Sequence, residues 1–161
     1  MPKEILKITP AEALLKAAHY CAYQERCHNE VRHKLAEWGV YGTTADELIL
    51  KLIEQNYLNE ERFAKAFAGG KFRVKQWGRL KIKRELKIRG LSDYCINLGL
   101  KEIEDDHYIL TLKNLMVSKL NSVKSAHPLE KKQKVYHYLA TRGYEGDIIL
   151  DLFKEIQNVS N

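Results

Sequence analysis

A short pattern returns three times along this chain, and it limits the fold more than any other feature. Lys34-Leu35-Ala36-Glu37-Trp38-Gly39-Val40, Glu85-Leu86-Lys87-Ile88-Arg89-Gly90-Leu91 and Tyr138-Leu139-Ala140-Thr141-Arg142-Gly143-Tyr144 share Leu-x-x-x-Gly-apolar, at offsets of 51 and then 53 residues. In each copy a glycine suited to the left-handed cap of a helix end follows a leucine by one helical turn. A polar turn and an apolar helix come next, predicted over 46–55, 93–103 and 147–157. This spacing predicts an all-α chain of three tandem three-helix modules, at 1–56, 57–103 and 104–161.

Local signals fill in the helices. Thr9-Pro10-Ala11-Glu12 combines a capping residue, a proline for the first helical position and a capping-box glutamate, so a helix should start there and run to about 26. Ala13, Leu14, Ala17, Ala18 and Cys21 form its apolar stripe. A second helix over 28–38 uses Val31, Leu35 and Trp38. Thr44-Ala45-Asp46-Glu47 reads as another capping box, after a turn at Gly42, with Leu48, Ile49, Leu52 and Ile53 facing inward. In the middle module Asn59 caps a helix whose first turn carries Glu60 and Glu61 and whose apolar face is Phe63, Ala64, Phe67 and Ala68. Gly69-Gly70 should bend that helix or admit a close neighbour, since each glycine costs roughly 1 kcal/mol relative to alanine. The last module starts near Asp105-Asp106, holds Leu110, Leu112, Leu115 and Leu120, breaks at Ser125-Ala126-His127-Pro128, and ends in a polar tail from 157 that should fray.

Charge singles out one part of this scaffold. From Lys71 to Gly90 there are nine basic residues, Lys71, Arg73, Lys75, Arg79, Lys81, Lys83, Arg84, Lys87 and Arg89, against the single acid Glu85. The local balance of +8 exceeds the +6 of the whole chain, so the basic character belongs to this segment. In the helix from Arg79, Ile82 and Leu86 give a narrow core stripe, while Arg79, Lys83 and Lys87 form a cationic row at the same four-residue spacing. Cations of one sign repel each other unless a polyanion or an acidic partner meets them, and DNA is the first candidate. Phe72 and Trp77, interleaved with the charge, are candidates for stacking on unpaired bases. Phe63 and Phe67 read as core.

Other chemistries find no constellation. Cys21 and Cys27 with His19 and His28 match no closed zinc pattern, and three cysteines are odd in number for a disulfide framework, so reduced, partly buried thiols are expected. HExxH is absent, Gly69-Gly70-Lys71 lacks the spacer and Ser/Thr of a phosphate-binding loop, and Asp105-Asp106 at a module boundary suits capping better than metal-assisted hydrolysis. No cofactor is implied. No apolar run reaches a membrane span, and the N-terminus lacks an apolar signal region; a soluble, cytoplasmic protein is expected.

Tyr57-Leu58-Asn59-Glu60-Glu61-Arg62-Phe63-Ala64-Lys65-Ala66-Phe67, followed by Lys71 and by Trp77-Gly78-x-x-x-Ile82-x-x-Glu85-Leu86-x-x-x-Gly90-Leu91, resembles the central signature of RecX, the bacterial regulator of the RecA recombinase. The close match covers about 35 residues; the flanking modules agree more loosely with the family's tandem organisation. One departure is Arg79, which stands where proline often follows the Trp-Gly pair and adds a charge. The resemblance implies an elongated, curved, monomeric array without enzymatic activity. It further implies binding to RecA and its filament on single- or double-stranded DNA, with inhibition of strand exchange, ATPase and coprotease activity in recombination, repair and the SOS response. The family's basic central module maps onto Lys71 through Arg89. Two other readings stand beside it. One is a stand-alone DNA or RNA binder, whose basic helix lacks the Asn and Gln that read adenine edges; the other is a magnesium-dependent nuclease using Asp105 and Asp106.

Overall fold

The computed structural model describes residues 8–159. Among them are nine α-helices, no strand, and one π-helical turn: α1 (Pro10–Tyr23), α2 (His28–Glu37), α3 (Gly42–Glu54), α4 (Glu60–Gly70), the π turn (Lys71–Lys75), α5 (Arg79–Ile88), α6 (Asp93–Leu100), α7 (Asp105–Ser122), α8 (Pro128–Thr141) and α9 (Gly146–Val159). The chain divides into two compact units. The first comprises the residues up to Ala66 together with Leu86–Gly99, and the second Phe67–Glu85 together with the residues from Leu100 onward. Helices α4 and α5 lend residues to both.

In the first unit α1, α2 and α3 pack on one another. The predicted capping box closes α1: Glu12 N–H donates to Thr9 Oγ1 at 3.2 Å and Thr9 N–H to Glu12 Oε2 at 3.3 Å. Its buried stripe is Ala13, Ala17 and Cys21, which meets Val31 and Leu35 of α2 and Leu48, Ile49 and Leu52 of α3 in one core. Asn59 caps α4 by accepting from Arg62 N–H at 3.0 Å. Gly99 of α6 lies against the Ala64 backbone, where an added Cβ would stand 2.6 Å from the Ala64 carbonyl oxygen.

In the second unit α7 packs on α8 and α8 on α9. Its buried side chains include Ile82, Tyr108, Leu112, Met116, Val135, Leu139, Tyr144, Ile149, Leu152 and Phe153. Both units follow one logic, an apolar stripe at helical spacing on each helix and a glycine at the close turn.

Several sequence expectations need correction. Helix α3 begins at Gly42 behind an N-cap at Tyr41, so Thr44 lies inside it and forms no capping box. Ile53 turns out of the core and is 40 % exposed, because Leu48, Ile49 and Leu52 already fill the inward stripe. The inward stripe of α7 is Tyr108, Leu112 and Met116, four apart, whereas Leu110 is exposed. At the glycine pair, Gly70 keeps ordinary helical dihedrals and the helix passes directly into the π turn. Helix α7 starts behind Glu104, whose side chain makes no capping hydrogen bond, with Asp105 and Asp106 in its first turn. Of the tail expected to fray, α9 continues to Val159, and residues 160 and 161 lie outside the described residues.

Candidate nucleic-acid interface

The basic segment of the second unit is an elbow between two cationic runs. Lys71, Arg73 and Lys75 ride on the π turn, and Arg79, Lys81, Lys83 and Arg84 on the first turns of α5. Between them Gln76 adopts the left-handed conformation, φ 55° and ψ 39°, which reverses the chain into Trp77-Gly78. Gly78 is required by space: a Cβ there would lie 2.2 Å from the Gly143 carbonyl carbon and 2.4 Å from the Tyr144 nitrogen. The Trp-Gly pair is thus a place where two backbones touch.

The first amides of α5 are satisfied by tertiary partners in place of a side-chain cap. Gly78 N–H donates to the Arg142 carbonyl at 2.8 Å, Leu80 N–H to the Gly143 carbonyl at 2.9 Å, and Arg79 N–H to the Tyr108 hydroxyl at 3.0 Å. Those amides are therefore not available to an anion, and the charge of the face resides in its side chains.

The cations fall into two groups. Arg79 is taken up by the fold. Its guanidinium pairs with Asp105 at 2.5 Å and with Glu145 at 3.7 Å, and lies 3.9 Å from the centre of the Tyr108 ring. Tyr108 in turn donates its hydroxyl proton to Glu145. Burial first, and this carboxylate acceptor second, push the Tyr108 phenol above its ordinary range. Arg79 therefore leaves the predicted row with Lys83 and Lys87; its half-buried head is an internal counter-charge, and Asp105 serves that pair.

Lys71, Arg73, Lys75, Lys81, Lys83 and Arg84 have no carboxylate partner among the described residues. Arg73, Lys75, Lys83 and Arg84 are exposed. The Arg73 guanidinium folds over Gly69, within 2.8 Å of the position a Cβ would take. On α5, Lys83 and Arg84 point away from buried Ile82. Lys87 and Arg89 belong to the first unit. There Lys87 pairs loosely with Asp93 at 3.7 Å, and the Arg89 carbonyl accepts from Asn29 Nδ2 at 2.9 Å.

The aromatic candidates separate as well. Phe72 is 8 % exposed, with its ring centre 5.8 Å from that of Tyr108, so it is a core ring and not a stacking surface. Trp77 is half-buried, edge-to-face with Phe67 at 6.3 Å, and the ammonium groups of Lys81 and Lys71 lie 4.4 and 5.0 Å from its ring centre. Its contribution is to hold two lysines in place by cation–π attraction. The sequence did not point to Tyr108, Glu145 and Arg142 as the supports of this elbow. Only the four-residue stripe Tyr108, Leu112, Met116 could have flagged the first of them.

Among the described residues no three His, Cys, Asp or Glu side chains converge as metal ligands, and no helix is long and apolar enough to cross a membrane. Cys21 and Cys27 are buried, and that burial pushes each thiol up to about 11.

Comparison with known proteins places this geometry. Family models for the first, second and third three-helix domains of RecX match residues 13–52, 59–100 and 111–153 in order. The regulatory protein RecX of Lactobacillus johnsonii is 32% identical over 92% of this chain and 58% of that protein. The RecX of Bacillus thuringiensis is 28% identical over 91% and 54%. The chain thus spans somewhat over half the length of the curated relatives it matches. The crystal structure of RecX from Lactobacillus salivarius superposes with a TM-score of 0.82 at 24% identity, covering 92% of this chain and 96% of that one. A second RecX crystal structure gives 0.82 at 19% identity, covering 90% and 71%; at such identities the likeness concerns the fold. With three RecX domains matched in order, the chain belongs to the RecX family of regulatory proteins.

Proposed function

We propose that this chain regulates the RecA recombinase by binding the RecA filament on DNA, and that it inhibits strand exchange, ATPase and coprotease activity. In this reading the basic elbow meets DNA phosphates. The modules at 1–56 and 104–161 supply further filament contacts around the central one at 57–103. The observation that carries the reading is the set of six cations, Lys71, Arg73, Lys75, Lys81, Lys83 and Arg84, gathered on one elbow without carboxylates to neutralise them. The same chain neutralises Arg79 from two sides, and it is the clustering of its unpaired neighbours in one segment that supports reading this face as turned toward a polyanion. Lysine and arginine on exposed helix positions, with Phe72 in the core and Trp77 between lysines, suit phosphate contacts better than base reading.

RecA ATPase and strand exchange with and without the full chain test this proposal. The expected result is inhibition at amounts stoichiometric with the filament groove; unchanged RecA activity at a molar excess over RecA contradicts it. A comparison of affinity for bare and RecA-coated DNA separates a filament regulator from a stand-alone DNA binder. The regulator is expected to prefer the coated strand.

A further inference from the structure

The third copy of the repeated glycine turn, Arg142-Gly143-Tyr144, grips the elbow from both sides of its chemistry. Arg142 and Gly143 carbonyls accept from Gly78 and Leu80 N–H, and in the opposite sense Arg142 Nη2 donates to the Lys75 carbonyl at 2.6 Å and Tyr144 O–H to the Gln76 carbonyl at 2.9 Å. These are the backbone groups that two helical ends leave without partners, the last carbonyls before the reversal and the first amides of α5. Tyr144 is 1 % exposed and its ring centre lies 5.2 Å from that of Tyr108, so its hydroxyl is held at this carbonyl. Gly143, at φ 100°, has no room for a Cβ, which would lie 2.3 Å from Lys81 Cβ. Gln76 in the left-handed region costs about 1–2 kcal/mol for a residue with a Cβ, so the elbow needs outside support to keep its shape.

The chain passes from one cationic run to the other through this elbow, and Tyr108, packed on Phe72 and accepting from Arg79 N–H, braces both from α7. We infer that Arg142 and Tyr144 are positioning residues for the basic face. They fix the run Lys71, Arg73, Lys75 against the run Lys81, Lys83, Arg84, so that both are pre-organised for one polyanion, and they do so without contacting it themselves. The inference rests on the reading of that face as a polyanion site. Pre-organisation raises affinity by removing the ordering that binding would otherwise require.

The test uses the full chain with Tyr144→Phe, Arg142→Met and Arg142→Lys, and Lys83→Ala with Arg84→Ala as a control for the face itself. Affinity for a short DNA duplex is measured together with far-UV helicity. A Trp38→Phe background makes Trp77 the only tryptophan, and its emission reports the elbow. Each of Tyr144→Phe and Arg142→Met should weaken binding about three- to tenfold, the worth of one net hydrogen bond. Helicity should hold while Trp77 emission moves to longer wavelength. Arg142→Lys, which keeps a donor for Lys75, should recover most of the loss. Wild-type affinity in both folded variants, with the control weakened, overturns the inference. So does a loss confined to the Arg142 variants with a salt slope reduced by about one, which would make Arg142 a direct phosphate contact. If Tyr144→Phe loses helicity, the difference between Arg142→Met and Arg142→Lys decides in its place. A control that binds as wild type removes the polyanion reading and the inference with it.

Discussion

Two regions of this molecule handle positive charge in opposite ways. In the first unit Arg62 is a hub. It pairs with Glu25 at 2.5 Å and donates to the Asn56 side chain, the Asn56 carbonyl and the Tyr57 carbonyl. In the elbow of the second unit six cations have no carboxylate within ion-pair distance among the described residues. The difference teaches that cation density alone does not mark a site in this chain. Where a cation serves the fold, the fold supplies its acceptors; the elbow differs in gathering six cations without them in one short segment, and in the proposed reading DNA phosphates meet them. Arg79, inside the basic stretch yet held by Asp105 and Glu145, belongs with Arg62.

Mutations should separate the two kinds of charge. Arg62→Ala leaves Glu25 and two backbone carbonyls without their donor, and is expected to lower unfolding free energy by about 2–3 kcal/mol while the salt slope of DNA binding stays as it was. Chemical denaturation and a binding titration on the same protein check both halves; a changed slope would break the comparison. Arg79→Ala should behave in the same direction, at about 2 kcal/mol, because it strips Glu145 and Tyr108 of a partner. Lys83→Ala with Arg84→Ala should do the reverse. It should weaken DNA binding about tenfold or more and reduce the salt slope by about two, with the unfolding midpoint almost unmoved.

The smallest effect is one of pH. Burial pushes the Tyr108 and Tyr144 phenols up, and Glu145 adds to the shift at Tyr108. Both phenols are protonated at neutral pH in the folded and in the unfolded chain. Above pH 10 the unfolded chain releases these protons while the folded chain retains them, so stability should fall as pH rises past that point. Thermal midpoints between pH 9 and 11 would show it, and Tyr108→Phe should flatten the decline.

Much of the architecture was legible because it is written in local signals. The Thr9 box, the Asn59 cap and the Leu-x-x-x-Gly copies are short-range features whose physics does not depend on the rest of the chain. Where stripes had competing apolar residues, as at Ile53 and Leu110, periodicity alone could not rank them. In α7 a buried tyrosine and a methionine took the inward positions instead. The basic segment was legible as charge, but its division was not. Arg79 and Lys83 look alike on a helical wheel, and what distinguishes them is Asp105 and Glu145, which are distant in sequence. Phe72 was misplaced for the same reason, since Tyr108 buries it. The glycine of the third repeat announced a turn, while the structure supplied its target, the backbone of Gly78.

The central claim is that the six uncompensated cations of the elbow meet phosphates, and the salt dependence of DNA binding tests it most directly. With five or six phosphates neutralised, log K should fall against log salt with a slope of roughly −5. A slope near zero would contradict the account, because the charge that sets this elbow apart would then have no polyanion to meet.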